Sequence, residues 1–415
     1  MSLNHYKDAI SWLFSQYPSY QKLGKLAYKP DLGNIDKLLS ELNRPEKDLK
    51  FIHVAGTNGK GSVCSMLASI LKESGYKTGL FTSPHITDFR ERIRINGEMI
   101  SEHFVVDFCN IVQQNNKLNK LEPSFFEITF AMALQYFSTE NCDICIIETG
   151  LGGRLDATNI IKPELSIITN ISFDHTDLLG DTLEAIAFEK SGIIKANAPV
   201  IIGETREETL SVFERQSEKM KSRLILTCNE TSYIYKLPFL ADYQKQNFNI
   251  VITAIEELQK LGYEINSESI QVGLDNISSN SGFVGRMQVI QENPKVIVDV
   301  SHNESGVKET LSTISKINKG KLHLIFGASA DKDHASIIKL FPKDAGLSFS
   351  MFSNPRGWSK KLAEQIAEQQ DIKPIIFENI ELALAYHKSI CNSDDTILIF
   401  GSFFLLSDFF DFFSK

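Results

Sequence analysis

Apolar positions in this chain fall into short runs separated by longer amphipathic stretches. The run Phe51 to Val54 enters a turn holding Gly56, Gly59 and Gly61. Val63, Met66, Leu67, Ile70 and Leu71 then recur at i, i+3, i+4, i+7 and i+8, one apolar face of a helix, and Gly75 supplies its stop. Strands are expected at Thr78–Thr82, Asp143–Glu148, 165–170, 199–202 and 223–227, and helices around 102–114, 124–138, 182–190 and 244–261. The first fifty residues read as amphipathic helices, with Trp12, Leu13 and Phe14 and later Ile35, Leu38, Leu39 and Leu42, around a polar loop from Leu23 to Asp31. The segment Arg90 to Glu98 alternates and carries Arg90, Arg92 and Arg94, the pattern of an exposed strand and turn. Near-continuous apolar strands between helices predict a parallel sheet covered on both faces.

The pattern breaks at 277–283, Ile-Ser-Ser-Asn-Ser-Gly-Phe, which reads as the start of a linker. Beyond it, strands at Val296–Val300, Leu322–Phe326, Leu347–Phe352 and Thr396–Phe400 alternate with helical stretches. The expected organisation is an ATP-binding α/β domain over 1–283, a linker over 284–293 and a smaller, Rossmann-like α/β domain over 294–415. A length of 415 residues fits two or three domains.

Composition narrows the function classes. An apolar content of 42% with 23% charged residues is that of a globular protein. The net charge of −9 argues against a nucleic-acid or membrane surface, though a phosphate site needs only local donors. The chain opens without a basic stretch and apolar run, so no signal peptide is expected, and the apolar run Ile397 to Leu406 is too short to span a bilayer. The six cysteines are scattered; Cys142 and Cys145 have C-x-x-C spacing without a second ligand pair nearby, so buried thiols in a reducing cytoplasm are expected.

The candidate chemistry lies at strand ends, where ligands bind in open parallel sheets. Strand, glycine turn and helix make a phosphate loop of Gly56, Thr57, Asn58, Gly59, Lys60, Gly61 and Ser62. The match to G-x-x-x-x-G-K-[ST] is imperfect, since Gly56 precedes Gly59 by three residues and Gly61 separates Lys60 from Ser62. A glycine-rich turn with an incidental lysine is the alternative. Lys60 would reach the outer phosphates, and Ser62 would offer a hydroxyl to Mg²⁺. Neighbouring strand ends add Ser83, then Glu148 with Gly150 to Asn159, then Asn170 to Asp177 with His175. Hydroxyl, carboxylate and imidazole suit a divalent ion that also holds ATP phosphates, against the alternative of plain surface residues.

Taken together, His53 to Ser62, Thr82-Ser83-Pro84-His85, Arg90-Glu91-Arg92-Ile93 and Glu148 to Asn159 resemble the folylpolyglutamate synthase/dihydrofolate synthase family of the Mur ligase group. The resemblance continues through Phe173-Asp174-His175, Glu189 to Ile193, Gly285-Arg286, Asp299 to Asn303 and Ile399 to Ser402, covering essentially the whole chain in collinear order. The loop's departure from the general pattern is that family's own form. Ile86, Ser191 and Glu304 depart from the family; the last replaces a proline and is expected to loosen its turn.

The resemblance implies a P-loop domain of the Mur ligase central-domain type. It also implies ATP and Mg²⁺ as cofactors, with Lys60, His175 and Lys190 catalytic and Lys190 carbamylated; a salt-bridged lysine is the alternative. It places Ser62, Ser83, Glu148 and His175 on the metal. Asn247, Arg286, Asp299 and His302 join the loop in holding ATP, which would sit between the domains. Asp31 and Leu32, Phe125, Phe126 and Glu127, and Leu155, Asp156 and Ala157 would contact the substrate, although a Phe-Phe pair on a helix is more often core. The implied activity is an ATP-dependent amide ligase adding L-glutamate to dihydropteroate and to folates through an acyl phosphate. The expected partners are small molecules, with no nucleic acid and no membrane, and the expected state is a cytoplasmic monomer. Two alternatives stay open: another Mur-type ligase acting on a different carboxylate, and a P-loop NTPase switch.

Overall fold

The computed structural model describes residues 3–17, 31–115, 121–203, 206–227 and 234–413, which fall into two compact units. Met1–Pro238 and Gln244–Phe283 form the first; Phe239–Tyr243 and Val284–Lys415 form the second. The loop expected from Leu23 lies outside the described residues up to Pro30, as does Cys228.

In the first unit, β1 (Phe51–Ala55), β2 (Thr78–Phe81), β3 (Ile93–Ile95), β4 (Glu98–Met99), β5 (Ile144–Glu148), β6 (Leu165–Ile168), β7 (Val200–Ile202) and β8 (Leu224–Leu226) make one sheet. Its order is β4-β3-β2-β5-β1-β6-β7-β8, parallel except for β3 and β4, which pair antiparallel at one edge. β1 and β5 are buried along their whole length, which is why they read as unbroken apolar runs. Helix Lys60–Glu73 is buried from Ser62 to Leu71, because helix Ser267–Asp275 closes over it. Gly273 makes that crossing possible: a methyl group there would meet the Ile70 backbone at 2.7 Å, and the Ser69 hydroxyl donates to the Gly273 carbonyl at 2.5 Å. Ser101 caps helix Glu102–Gln114, and a reciprocal capping box between Ser124 and Glu127 starts helix Phe125–Thr139.

The second unit holds β9 (Gln288–Glu292), β10 (Lys295–Asp299), β11 (Leu322–Phe326), β12 (Gly346–Ser350), β13 (Ile375–Phe377) and β14 (Thr396–Phe400). Their order is β13-β12-β11-β14-β10-β9, parallel except for β9. Phe326 is central to the core, with Phe341, Trp358 and Phe400 rings at 5.1–5.5 Å.

Several expectations are corrected. The segment read as the start of a linker is helix Ile277–Ser281, and residues 284–293 contain the edge strand β9. Residues Phe239–Tyr243 belong with the second unit, so the first is not continuous over 1–283. The segment expected as exposed at Arg90–Glu98 includes Arg92, only 3% exposed. Its Nε donates to His85 Nδ1 at 2.8 Å and its guanidinium lies 5.5 Å from the Phe125 ring. Burial pushes the Arg92 pKa down to about 10. Of the described thiols, Cys64, Cys109, Cys142 and Cys145 are buried, whereas Cys391 is half-exposed.

Candidate active site at the phosphate-loop rim

β1 delivers the chain to a loop that only glycine can follow at two points. Gly56 has φ +149° and Gly59 φ +85°; a side chain at Gly56 would collide with the Thr169 hydroxyl, and one at Gly59 with the Asn247 carboxamide. The loop is pinned to the end of β6. The Thr57 and Asn58 N–H groups donate to the Asn170 carbonyl and to Asn170 Oδ1, each at 2.8 Å, and the Thr169 hydroxyl donates to the Asn58 carbonyl at 2.6 Å. Helix Lys60–Glu73 follows with no side-chain cap and no acidic residue in its first turn. The partial positive charge of a helix N-terminus is thus left for an external anion.

Two lysines converge on this loop. Lys60 Nζ donates to the Gly56 and Thr57 carbonyls at 3.1 Å, and Lys190 Nζ, from helix Leu183–Ser191, donates to the Gly56 carbonyl at 2.9 Å. Burial first, and the neighbouring Lys60 ammonium second, push the Lys190 pKa down to about 7. The other face of the loop is braced by helix Tyr243–Lys260. Gln244 Nε2 donates to Ser62 Oγ at 3.2 Å, and Asn247 Nδ2 donates to Gln244 Oε1 at 2.8 Å. Ser62 and Asn247, expected to touch the ion and the nucleotide, are here buried parts of that brace.

The four strands β2, β5, β1 and β6 are contiguous in the sheet, so their carboxyl ends form one rim. Glu148 ends β5, is 4% exposed, and accepts the Ser83 N–H at 3.1 Å. His175 has φ +51°; its N–H donates to Asp174 Oδ1 at 2.9 Å, and its Nε2 lies 3.8 Å from Asp174 Oδ2. Ser83 and Glu148 supply oxygen donors of the kind a Mg²⁺-class ion takes, and His175 adds an imidazole.

The expected substrate residues divide. Phe126 is half-buried beside the Glu148 loop, where a methyl group on Gly150 would meet its ring at 2.6 Å. Leu155 is also half-buried. Phe125 is core, stacked on Phe14 with ring centroids 4.5 Å apart, and Ala157 is buried. Glu127, expected to face substrate, uses a carboxylate oxygen to accept the Ser124 N–H at 2.6 Å in the capping box. Asp156 is buried and accepts the Leu151 N–H at 2.8 Å, the Thr158 N–H at 3.0 Å and the Thr158 hydroxyl, so it orders the glycine loop; burial pushes its pKa up. The same Thr158 hydroxyl lies 2.8 Å from His53 Nε2, inside β1. Asp31 accepts the Gly33 N–H at 2.9 Å, and Leu32 begins helix Gly33–Glu41.

In the second unit, Arg286 lies over the Phe403 ring at 5.4 Å, and His302 Nδ1 is 2.9 Å from the Val300 carbonyl oxygen. Asp299 is buried, and its oxygens accept the Met287 N–H at 2.8 Å, the Ser301 N–H at 2.9 Å, the Thr310 hydroxyl at 3.0 Å and the Tyr243 hydroxyl at 3.4 Å. These donors tie Asp299 to the turn that follows β10. The turn is not loosened by Glu304: Asn303 Oδ1 accepts the Gly306 N–H at 2.8 Å and caps helix Glu304–Ile317.

Sequence reasoning missed Thr169 and the bracing roles of Asn170 and Gln244. A polar residue beside each quoted motif was the available signal, but their role depends on which strand lies next to β1.

Comparison with known proteins fits this geometry. Residues 54–278 match the Mur ligase middle domain, and 285–403 match the Mur ligase, glutamate ligase domain. The chain is 33% identical over 434 residues to the dihydrofolate synthase/folylpolyglutamate synthase of Bacillus subtilis (strain 168), with 97% of this chain and 98% of that protein covered. Its fold is similar to that of E. coli FolC in complex with DHPP and ADP (TM-score 0.86, 26% identity, 100% and 99% coverage). It is also similar to the bifunctional folylpolyglutamate synthase/dihydrofolate synthase of Yersinia pestis complexed with AMPPNP and Mn ion (TM-score 0.83, 25% identity, 100% and 99% coverage).

Proposed function

The chain belongs to the dihydrofolate synthase/folylpolyglutamate synthase family of Mur ligases, and from that membership we propose how its phosphate-loop rim does the work. The protein is an ATP-dependent ligase that joins L-glutamate to folates, with a divalent ion as cofactor. The observation that carries the site assignment is the uncapped helix at Lys60, with two lysines on the Gly56 carbonyl.

In this reading the carboxylate of dihydropteroate, or the γ-carboxylate of a folate, attacks the γ-phosphorus of ATP, and ADP leaves. The resulting acyl phosphate is attacked by the L-glutamate amine, which loses a proton as phosphate departs. Lys60 and the loop N–H groups of Gly56 to Ser62 neutralise charge spreading over the phosphoryl oxygens, and positioning supplies much of the rest. Ser83, Glu148 and His175 would hold the divalent ion, which would supply further neutralisation of phosphate charge. Phe126 and Leu155 line the pterin side, with Asp156 ordering the loop between them. Arg286 and His302, next to the Met287 and Ser301 N–H groups that Asp299 accepts, are the second unit's nucleotide contacts in this reading.

Lys190 is the carbamylation site of this reading. A pKa near 7 leaves an appreciable share of neutral amine at neutral pH, the form that adds to CO₂ with loss of one proton. The product places an anion beside Lys60 in place of a second cation. The reading also takes the protein as a cytoplasmic monomer acting on small molecules; no helix among the described residues is long and apolar enough to cross a membrane.

A coupled ADP-release assay tests the function. ADP release should require L-glutamate together with dihydropteroate or a folate. Substrate-independent hydrolysis, or preference for GTP, would overturn the reading in favour of an NTPase switch.

A further inference from the structure

At the amino end of the six-stranded sheet, opposite the end that carries Asp299, a buried polar cluster joins β11 to the 391–395 turn. His323 is the second residue of β11 and pairs with Ile397 of β14, and Asp395 immediately precedes β14, so it lies on the diagonal from His323, two residues before that partner. Cys391 ends helix Ile380–Ile390. One ring nitrogen of His323, Cys391 Sγ and a carboxylate oxygen of Asp395 lie within 4.8 Å of one another. The β10–β14 ladder runs from Lys295–Thr396 to Asp299–Phe400, four residues and about 13 Å of strand between this end and the Asp299 end.

His323 Nε2 is buried and has no hydrogen-bond partner among the described residues. It lies 3.8 Å from Asp395 Oδ2, too far for an N–H···O bond. The other ring nitrogen is engaged: His323 Nδ1 is 3.1 Å from His387 Nδ1, and His387 Nε2 is 2.8 Å from Ser348 Oγ. Two proton patterns satisfy this chain, and in the one where His323 Nδ1–H donates to His387 and His387 Nε2–H donates to Ser348, the His323 Nε2 lone pair faces the Asp395 carboxylate. In that pattern two acceptors face each other, an arrangement that a cation between them satisfies.

We propose that His323 Nε2, Cys391 Sγ and the Asp395 carboxylate bind a zinc-class divalent ion. The nitrogen, sulfur and oxygen donor set selects a borderline ion over Mg²⁺ or Ca²⁺. Tetrahedral ligation at about 2.0–2.3 Å places ligand atoms about 3.3–3.8 Å apart, so a small inward turn of Cys391 closes the set. Backbone donors already orient the carboxylate, since the Lys321 N–H donates to Asp395 Oδ1 at 2.7 Å and the Asn392 N–H to Oδ2 at 2.8 Å. His387 Nδ1 is placed to accept from His323 Nδ1–H, the role a carboxylate or carbonyl plays for other metal-bound imidazoles. Cys391 is half-exposed, which gives solvent a path to the fourth position. Lys321 is the cation near the cluster and opposes a dication; the Cys391 thiolate and Asp395 together offset the ion's two charges. A thiol must lose its proton to ligate the ion, so binding weakens as pH falls. The bound ion clips the 391–395 turn to β11 and acts structurally.

The test uses the full-length chain stripped of metal and given one equivalent of Co²⁺ in excess Mg²⁺. The expected result is a thiolate-to-cobalt charge-transfer band, displaced by one equivalent of Zn²⁺ and lost in Cys391→Ser and His323→Gln. Cys391→Ser, at a half-exposed helix end, should keep the wild-type circular dichroism and Mg²⁺-dependent ligase activity. Absence of the band in the wild type would overturn the proposal, and so would its survival in a folded Cys391→Ser variant.

Discussion

The carboxyl ends of β1 and β10 both run from strand through a turn into a helix, yet they treat the helix N-terminus in opposite ways. After β10, Asn303 caps helix Glu304–Ile317, Asp299 accepts the Ser301 N–H, and Glu304 stands in the first turn. After β1, helix Lys60–Glu73 has no side-chain cap, no acid in its first turn, and a lysine as its first residue. A cap contributes about 1 kcal/mol, and a cation at a helix N-terminus opposes the macrodipole by about 0.3–1 kcal/mol. The first junction therefore forgoes about 1–2 kcal/mol of local stability that the second keeps. Leaving donors and positive charge without an internal anion is what makes the first junction a receptor for phosphate.

The largest expected effect removes the charge at the receptive junction. Lys60→Ala should lower ADP release in the coupled assay by at least about 10³-fold, since one preorganised charged donor at a transferring phosphoryl group is worth this order. The thermal midpoint should hold or rise, because the side chain caps only its own loop carbonyls. Near-wild-type turnover would break the contrast between the junctions.

Next comes Lys190, buried beside the Lys60 ammonium. Its pKa is about 7 in the folded chain and 10.5 in the unfolded one. Below pH 7 the group is charged in both states and the full cost of burying the ammonium is felt. Between pH 7 and 10.5 the unfolded chain binds more protons, so stability rises with pH; above 10.5 the cost is gone. The interval corresponds to at most about 5 kcal/mol, offset by losing the hydrogen bond to Gly56. Lys190→Met should thus unfold at higher urea in CO₂-free buffer at pH 6, by on the order of 2–3 kcal/mol, with the gain shrinking towards pH 9. A gain that grows with pH would have the wrong sign.

Gly59→Ala separates backbone strain from side-chain collision. Gly59 and Gly75 have similar φ, +85° and +90°, but only Gly59 faces a neighbour, the Asn247 carboxamide; Gly75 has nothing within 4 Å. Gly75→Ala should cost about 1 kcal/mol and leave the KM for ATP unchanged. Gly59→Ala should cost about 1–3 kcal/mol and raise that KM, because Asn247 and Gln244 must shift with the loop. Equal effects at the two positions would remove the special status of the loop.

How far the sequence reached follows from what each signal encodes. Buried strands with unbroken apolar runs, such as β1, β5 and β14, were legible, as was the phosphate loop between strand and helix. β9 was not: Gln288–Glu292 is an antiparallel edge whose residues are half-buried or exposed, so it lacks an apolar run. β13 spans three residues, too few for a period to register. Positions of carboxylates were visible, but whether their acceptor sites were filled was not. Glu127 and Asp299 read as ligand-facing, and both also accept local backbone N–H groups. Likewise Lys60 and Lys190, 130 positions apart in number, meet only because β6 and helix Leu183–Ser191 lie against β1's loop.

The smallest effect tests the capped junction. Asn303→Ala removes the bond from Gly306 N–H at 2.8 Å and leaves a helix N-terminus resembling that at Lys60 in lacking a cap. The expected cost is about 1 kcal/mol, read as a lower denaturation midpoint at constant m-value. Asn303→Asp should recover most of it, because a carboxylate accepts the same N–H and complements the macrodipole. If the cap is what distinguishes the two junctions, the alanine variant should also gain measurable affinity for inorganic sulfate at low ionic strength, and the aspartate variant should not. An alanine variant as stable as wild type would mean that the four donors to Asp299 alone hold this turn, and that capping is not the difference between a structural helix start and a receptive one.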